Sequence, residues 1–198
     1  MSILKKLPAS ALDHVEHFRS AMLSRPSKHK YWRWMRFFKG GVQIADHAWC
    51  GFYMNPELTE EVTVKGANLL VVKEEFPDHR PLLPKAMDLA SAKLVDGEQL
   101  HKLLRALDPN RGSYAKERSD VLLSFHWDQR GMGMPILCCE HVANSAAFDP
   151  VAIMAALASV PDDILKAGVV HYIARTGLLL IRDNAHNPSS IILLKSLG

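Results

Sequence analysis

Leucines recur at a helical period in the middle of the chain. Four of them follow the i, i+3, i+4, i+7 spacing that places side chains on one face of an α-helix: Leu100, Leu103, Leu104 and Leu107. Asp96 stands before this run as an N-cap and is followed three residues later by Gln99, which makes a start similar to a capping box. Pro109 cannot continue a helix because its nitrogen carries no hydrogen. The pattern therefore predicts a helix between Asp96 and Pro109.

A second helix opens in a similar way further along the chain. Asp149 is placed to cap it, and Pro150 occupies the first helical position, where a missing N–H is tolerated. The apolar run continues to about Val160, and Pro161 ends it. A shift of 53 residues superposes Leu100 on Ile153, Leu104 on Leu157 and Leu107 on Val160.

Two strand-like segments joined by a glycine-containing turn follow each of these helices. Residues 120–127 and 131–139 follow the first helix, and residues 168–174 and 178–182 follow the second. Residues 190–195 form one more apolar strand. The sequence therefore predicts a repeated unit of a helix and an antiparallel hairpin, which buries its apolar face by packing on its neighbours.

A weaker copy of the unit lies near the N-terminus. Residues 9–23 have helical periodicity, and residues 31–38 and 42–46 are predicted to form a hairpin around two glycines. Residues 61–64 and 67–73 are two further strand candidates. The N-terminal region is therefore expected to add strands to the same kind of architecture.

The connection between the two regions is rich in proline. Residues 78–84 are the best linker candidate, and residues 85–95 are compatible with either a short helix or a strand. We therefore predict an α+β fold of repeated helix-plus-hairpin units. The expected division is an N-terminal domain or half-domain of residues 1–80 and a C-terminal domain of residues 81–198.

The composition is that of an ordinary globular protein. Of the 198 residues, 48% are hydrophobic and 23% are charged, with a formal net charge of +3. No secretory signal follows Met1, and no apolar stretch approaches the ~18 residues of a membrane span. Three cysteines, Cys50, Cys138 and Cys139, cannot all pair with one another. We therefore expect a cytoplasmic protein in a reducing compartment, without membrane contact.

The order of elements resembles that of the DNA sliding clamps, which tether polymerases. Residues 148–157 give an aromatic-led helix, and residues 168–173, 178–183 and 189–194 follow it as strands with an acidic turn before the last. Residues 94–107 are similar to a clamp helix and its lead-in. The resemblance implies a DNA-clamp-like fold and the function of a DNA-associated scaffold or processivity factor in DNA replication, with no catalysis and no cofactor.

The same resemblance implies partners and an assembly. The expected partners are duplex DNA and a polymerase or another DNA-processing protein. Because clamps surround DNA as closed assemblies and this chain is too short to encircle a duplex alone, a homo-oligomer of cyclic symmetry is expected.

Basic residues follow or lie on the predicted helices. Lys102 and Arg105 are three residues apart and share a helix face that is turned away from the leucines. Between Arg19 and Lys39 the chain has basic residues and no acidic one. A solvated surface is the alternative meaning of this basic run. Contacts to DNA phosphates are expected from Arg19, Arg25, Lys28, Lys30, Lys102, Arg105 and Arg111.

Two other functions stay open at this point. A small metal-assisted hydrolase would draw on His126, Asp128, Cys139 and His141, although no CxxC, HxxxH or HExxH spacing is present. Nucleophilic pairs of His47 with Cys50, or of Ser124 with His126, lack a recognisable third partner. The remaining alternative is an interaction subunit without DNA contact.

Overall fold

A computed structural model describes residues 3–23, 34–74, 76–107, 121–139, 146–160, 164 and 168–197. The α-helices are α1 (Ala9–Leu23), α2 (Ala86–Ala90), α3 (Gly97–Ala106) and α4 (Pro150–Leu157). The strands are β1 (Trp34–Phe38), β2 (Gly41–Ala45), β3 (Trp49–Met54), β4 (Val62–Lys65), β5 (Val71–Val72), β6 (Lys93–Val95), β7 (Leu122–Trp127), β8 (Gly133–Cys138), β9 (Val169–Ile173), β10 (Leu178–Arg182) and β11 (Ser190–Lys195). Short 3-10 helices span Ile3–Lys6 and Arg80–Leu82.

The helices α3 and α4 begin where the sequence predicts them. The Asp96 carboxylate accepts a hydrogen bond from the backbone N–H of Gln99 at 2.9 Å, and Asp149 caps α4 through the backbone N–H of Val151 at 2.8 Å. Leu100 and Ile153, which the 53-residue shift makes equivalent, are both fully buried. The α3 helix packs on β8, and α4 packs on β3 and β11. Both helices therefore pack an apolar face on the sheet, as predicted, although α4 packs mainly on β3 and β11 and less on the β9–β10 hairpin that follows it.

Within the described residues the strands form one sheet, in the order β5-β4-β1-β2-β3-β11-β10-β9-β6-β8-β7. The hairpins β1–β2, β7–β8 and β9–β10 are antiparallel, as predicted. The parallel pair is β6–β8, which is joined at Val95 and Gly133. The fold is thus the α+β arrangement of helix-plus-hairpin units that the sequence indicates.

One strand in the centre of the sheet has no counterpart in the sequence prediction. β3 pairs with β2 on one side and with β11 on the other, where Gly51 lies opposite Ile192. This pair joins the N-terminal strands to the C-terminal strands in one sheet. Residues 85–95 contain both a helix and a strand, α2 and β6, where the sequence left a choice between them. The division into residues 1–80 and 81–198 stays a prediction.

Strand alternation gives the sheet two buried faces. On the helical face, strand side chains such as Phe37, Ile44, Leu179 and Ile192 pack with the buried residues of α1, α3 and α4. On the opposite side, the outer face, Phe38, Phe52, Leu180 and Leu193 pack with Phe76, Leu83 and Leu89. Residues 76–92 therefore lie across the outer face, on the other side of the sheet from α1, α3 and α4. No helix of the described residues is long and apolar enough to cross a membrane.

Candidate functional site

The helical face carries two of the expected DNA contacts on α3. Lys102 and Arg105 are exposed, while Leu100 and Leu104 on the same helix are buried. Lys102 Nζ lies 2.7 Å from Glu98 Oε1, and this hydrogen bond raises the pKa of the lysine. Among the described residues, no ion-pair partner lies beside Arg105. The helix therefore presents Lys102 and Arg105 to solvent, and Lys102 forms an ion pair with Glu98.

The third described candidate, Arg19, is bound within the chain. Its Nε donates to the carbonyl of Gly66 and its Nη2 to the carbonyl of Ala67, both at 3.1 Å, while Nη1 lies 3.2 Å from a carboxylate oxygen of Glu16. This half-buried guanidinium joins α1 to the turn after β4. Four further candidates lie outside the described residues: Arg25, Lys28, Lys30 and Arg111.

Charge on the three helices of this face is balanced. Their acidic residues are Asp13, Glu16 and Glu98, and their basic residues are Arg19, Lys102 and Arg105. The α4 helix carries no charged residue. The described helices therefore supply no net positive charge of their own to attract a polyanion.

The outer face holds a cavity of about 510 Å³ between residues 79–88 and the sheet. Apolar side chains of Cys50, Leu83, Leu178 and Leu193 line it, together with charged groups at its rim. These groups are Asp46, His47, Lys85, Asp88, Arg175 and Lys195. A preformed hollow with apolar walls and a few polar groups is the usual form of a binding site.

An ion pair between distant parts of the chain forms one wall of this cavity. Asp88, on α2, is buried and accepts hydrogen bonds from Nε and Nη2 of Arg175, on the β9–β10 turn. Its second carboxylate oxygen accepts from the backbone N–H of Lys85 at 3.0 Å. The bond from Arg175 lowers the pKa of Asp88. The pair therefore ties α2 to the sheet, a contact that no sequence pattern signals.

Residues 76–80 are tied to the outer face by polar contacts. The fully buried Gln43 donates through Nε2 to the carbonyl of Pro77 at 2.7 Å and accepts from the backbone N–H of His79 at 3.3 Å. Arg36 Nη1 donates to the carbonyl of Phe76 at 3.0 Å. Hydrogen bonds from Arg80 lower the pKa of Asp78 to about 2. The proline-rich connection is therefore fixed in position on the sheet.

The nucleophilic pairs are not assembled in the structure. Cys50 is buried, and burial raises the pKa of its thiol to about 12, so the thiolate is scarce at neutral pH. His47 is bound to Asp46, with Nδ1 2.7 Å from Oδ1. The hydroxyl of Ser124 is buried and donates to the carbonyl of Ala146. These contacts are consistent with a structural role for Cys50, His47 and Ser124.

The candidate metal ligands are also separated by their contacts. Asp128 accepts backbone hydrogen bonds from Arg130 and Met132, at 2.9 and 2.8 Å, and so closes the β7–β8 turn. His126 and Cys139 are exposed, and His141 lies outside the described residues. Within the part of the chain that the structure describes, no three His, Cys, Asp or Glu side chains form a metal-binding group.

The architecture is that of the DNA sliding clamps, as comparison with solved structures shows. The DNA polymerase III beta subunit of Borrelia burgdorferi, solved with a natural product, aligns with 94% of this chain at a TM-score of 0.60 and 9% identity. The sliding clamp of Pseudomonas aeruginosa, solved with a ligand, aligns with 97% at 0.58 and 10%. The beta subunit of Thermotoga maritima aligns with 97% at 0.56 and 12%.

These likenesses define the fold and leave the activity open. The chain spans 63% of the Borrelia subunit, 70% of the Pseudomonas clamp and 64% of the Thermotoga subunit. No protein-family model and no curated protein matches the sequence. The resemblance read from the order of elements is therefore confirmed as a clamp-like fold that has diverged far in sequence.

Proposed function

We propose that this protein is a clamp-like, DNA-associated scaffold that binds the DNA backbone and protein partners and performs no catalysis of its own. The observation that carries the proposal is the placement of α1, α3 and α4 on one face of a single continuous sheet, in a chain whose fold is that of the sliding clamps. In this arrangement the helical face meets DNA and the outer face meets proteins.

The DNA contacts are phosphate contacts from basic side chains. Lys102 and Arg105 are the best supported of them because both are exposed on α3. Arg19 contributes less, since its donors already serve Gly66, Ala67 and Glu16. The remaining members of the set are Arg25, Lys28, Lys30 and Arg111.

The proposed assembly is a closed homo-oligomer. The described sheet ends in β5 on one side and β7 on the other, and an edge strand has unpaired backbone groups that another copy is able to pair. Sedimentation at high protein concentration tests this point. A strict monomer would contradict the closed assembly and leave the fold unaffected.

The cavity on the outer face is the proposed docking site for a partner such as a polymerase. It combines apolar walls with exposed Lys85 and Lys195 at its rim. Two of the similar clamps were solved with small molecules bound, which supports a ligand site on this fold. A partner segment would place an apolar side chain between Leu178 and Leu193.

The salt dependence of DNA binding tests the central claim. Binding of a labelled duplex should weaken with salt at a logarithmic slope of about −0.9 for each phosphate contact. The K102A/R105A double variant should flatten that slope by up to about two units and leave folding intact, because both side chains are exposed. The matched control is K85A/K195A, which removes two exposed lysines from the outer face.

A second function is favoured by one observation. Because α1, α3 and α4 carry equal numbers of acidic and basic residues, an interaction subunit without DNA contact is the alternative. It becomes the better proposal if the wild type binds no duplex at low salt, or if K102A/R105A leaves the slope unchanged. Stoichiometric zinc in the purified protein would instead favour the metal-assisted hydrolase.

A further inference from the structure

A second region of the outer face, away from the cavity, is lined by strands of the C-terminal half. His171 of β9 lies between Leu94 of β6 and Leu180 of β10. Two residue pairs further along, Arg182 of β10 lies opposite Val169. On the neighbouring strands β8 and β7, Met134 lies opposite His126. Side chains two residues apart share a face. We name the following residues the C-terminal outer patch: Leu94, His126, Met134, Ile136, His171 and Arg182.

The positive charge at the centre of this patch has no counter-charge among the described residues. Arg182 is only 9% exposed, and its Nη1 donates to the carbonyl of Ala185 at 2.9 Å, which fixes the guanidinium. Its Nε is buried without an acceptor. None of the described carboxylates forms an ion pair with the guanidinium. A guanidinium forms strong, charge-assisted hydrogen bonds with a carboxylate. A buried cation without a partner is costly, so this guanidinium is suited to an external anion.

His171 is a second polar residue of the patch with a buried nitrogen that has no hydrogen-bond partner. Its Nδ1 is buried and has no hydrogen-bond partner. Burial, and then the charge of Arg182, lower the pKa of its imidazole. An anion beside both groups would satisfy the guanidinium and favour the protonated imidazole. The two groups therefore suit the same negatively charged ligand.

The described strands around these two groups are mostly apolar. The strands β6 to β11 contain no Asp or Glu. Leu94 is 46% exposed and Ile136 is 39% exposed, so both have apolar surface that a ligand is able to cover. A ligand that covers this patch thus needs apolar groups as well as negative charge. Duplex DNA supplies the charge without the apolar groups.

We propose that the C-terminal outer patch is a docking surface for an acidic and apolar segment of a partner protein. A carboxylate of that segment pairs with the guanidinium of Arg182 and the imidazole of His171, and its apolar side chains cover Leu94 and Ile136. The patch shares no residue with the lining of the 510 Å³ cavity. This surface deepens the proposed scaffold function by naming a partner class, yet it lies on the face opposite Lys102 and Arg105.

Fluorescence anisotropy with short labelled peptides tests the proposal on the full chain. The probes are a peptide of alternating leucine and glutamate, its counterparts with glutamine or lysine in place of glutamate, and a duplex DNA. The glutamate peptide should bind, and salt should weaken its binding. The change R182M should weaken it at least about tenfold, because a charged pair is lost. L94S should weaken it about threefold or more through lost apolar contact.

Folding and location are controlled by two further measurements. L70S changes a leucine that is 57% exposed at the far end of the sheet and should leave peptide binding unchanged. Because no described carboxylate pairs with Arg182, R182M should leave the melting temperature of the free protein within a few degrees of the wild type. The proton signal of Arg182 Nε should shift on addition of the glutamate peptide.

Several results would overturn the proposal. These are equal binding of the glutamate and glutamine peptides, wild-type affinity in L94S and R182M, or displacement of the glutamate peptide by duplex DNA. Failure of the scaffold function is distinguished from failure of this proposal by a separate experiment. That experiment is the DNA-binding assay, which uses the K102A/R105A variant of the helical face.

Discussion

Replacement of Gln43 tests whether the proline-rich connection is fixed on the sheet. In Q43L the side chain keeps most of its volume but loses the bonds to the Pro77 carbonyl and the His79 amide. Each such bond contributes about 0.5–1.5 kcal/mol, so the free energy of unfolding should fall by about 1–3 kcal/mol. For a chain of this size that corresponds to about 2–12 °C in melting temperature.

The assay combines urea unfolding with amide hydrogen exchange. Q43L should increase exchange selectively at His79 and its neighbours, and the β10–β11 amides should change less. Q43E should be worse than Q43L, because a buried carboxylate would face the Pro77 carbonyl that the amide now binds. A change below about 0.5 kcal/mol in Q43L, with unchanged exchange at His79, would refute the view that Gln43 holds the connection.

Three further predictions concern packing, charge and pH. L100A and I153A should each lower the free energy of unfolding by about 2–5 kcal/mol in urea melts, because both side chains are fully buried. V151A, at a side chain that is 50% exposed, should change it by less than about 0.5 kcal/mol. D88N and R175M should each lower the melting temperature, and the double variant should lose less than the sum of the two, because the same ion pair is removed twice. The free energy of unfolding should fall as the pH drops below about 6.5, because burial lowers the folded pKa of three histidines. It should fall again below about 3.8 towards about 2, where Asp78 is protonated in the folded state. Thermal melts at a series of pH values check both steps, and a flat profile from pH 7 to 5 would contradict the first. The histidines are His14, His79 and His171.

The sequence predicts those elements whose side chains alternate between apolar and polar surroundings. The N-caps of α3 and α4 and the hairpins that follow these helices are signalled by local sequence patterns, and the structure contains them as expected. β3 escapes prediction because it is central and buried on both faces, so Trp49 to Tyr53 form an unbroken apolar run with Gly51 in the middle. The run has no period from which to recognise a strand.

The candidate sites were less predictable for a related reason. Lys102 and Arg105 are exposed on one helix face, as their spacing indicates. The cavity and the outer patch depend on pairs that are distant in sequence, such as Asp88 with Arg175 or Leu94 with His171. Register between distant strands sets these contacts, and a single sequence carries no local signal for them.

The pairing of β3 with β11 also sets an order of events for synthesis. β3 belongs to the first third of the chain, and its partner β11 lies at residues 190–195, so β3 leaves the ribosome long before the strand that completes its ladder. Until then the nascent sheet has an open, apolar edge at Trp49–Met54, which is the kind of edge that recruits other strands. A ribosome that stalls before residue 190 would therefore display this edge, and such truncated chains are expected to depend on chaperones for solubility.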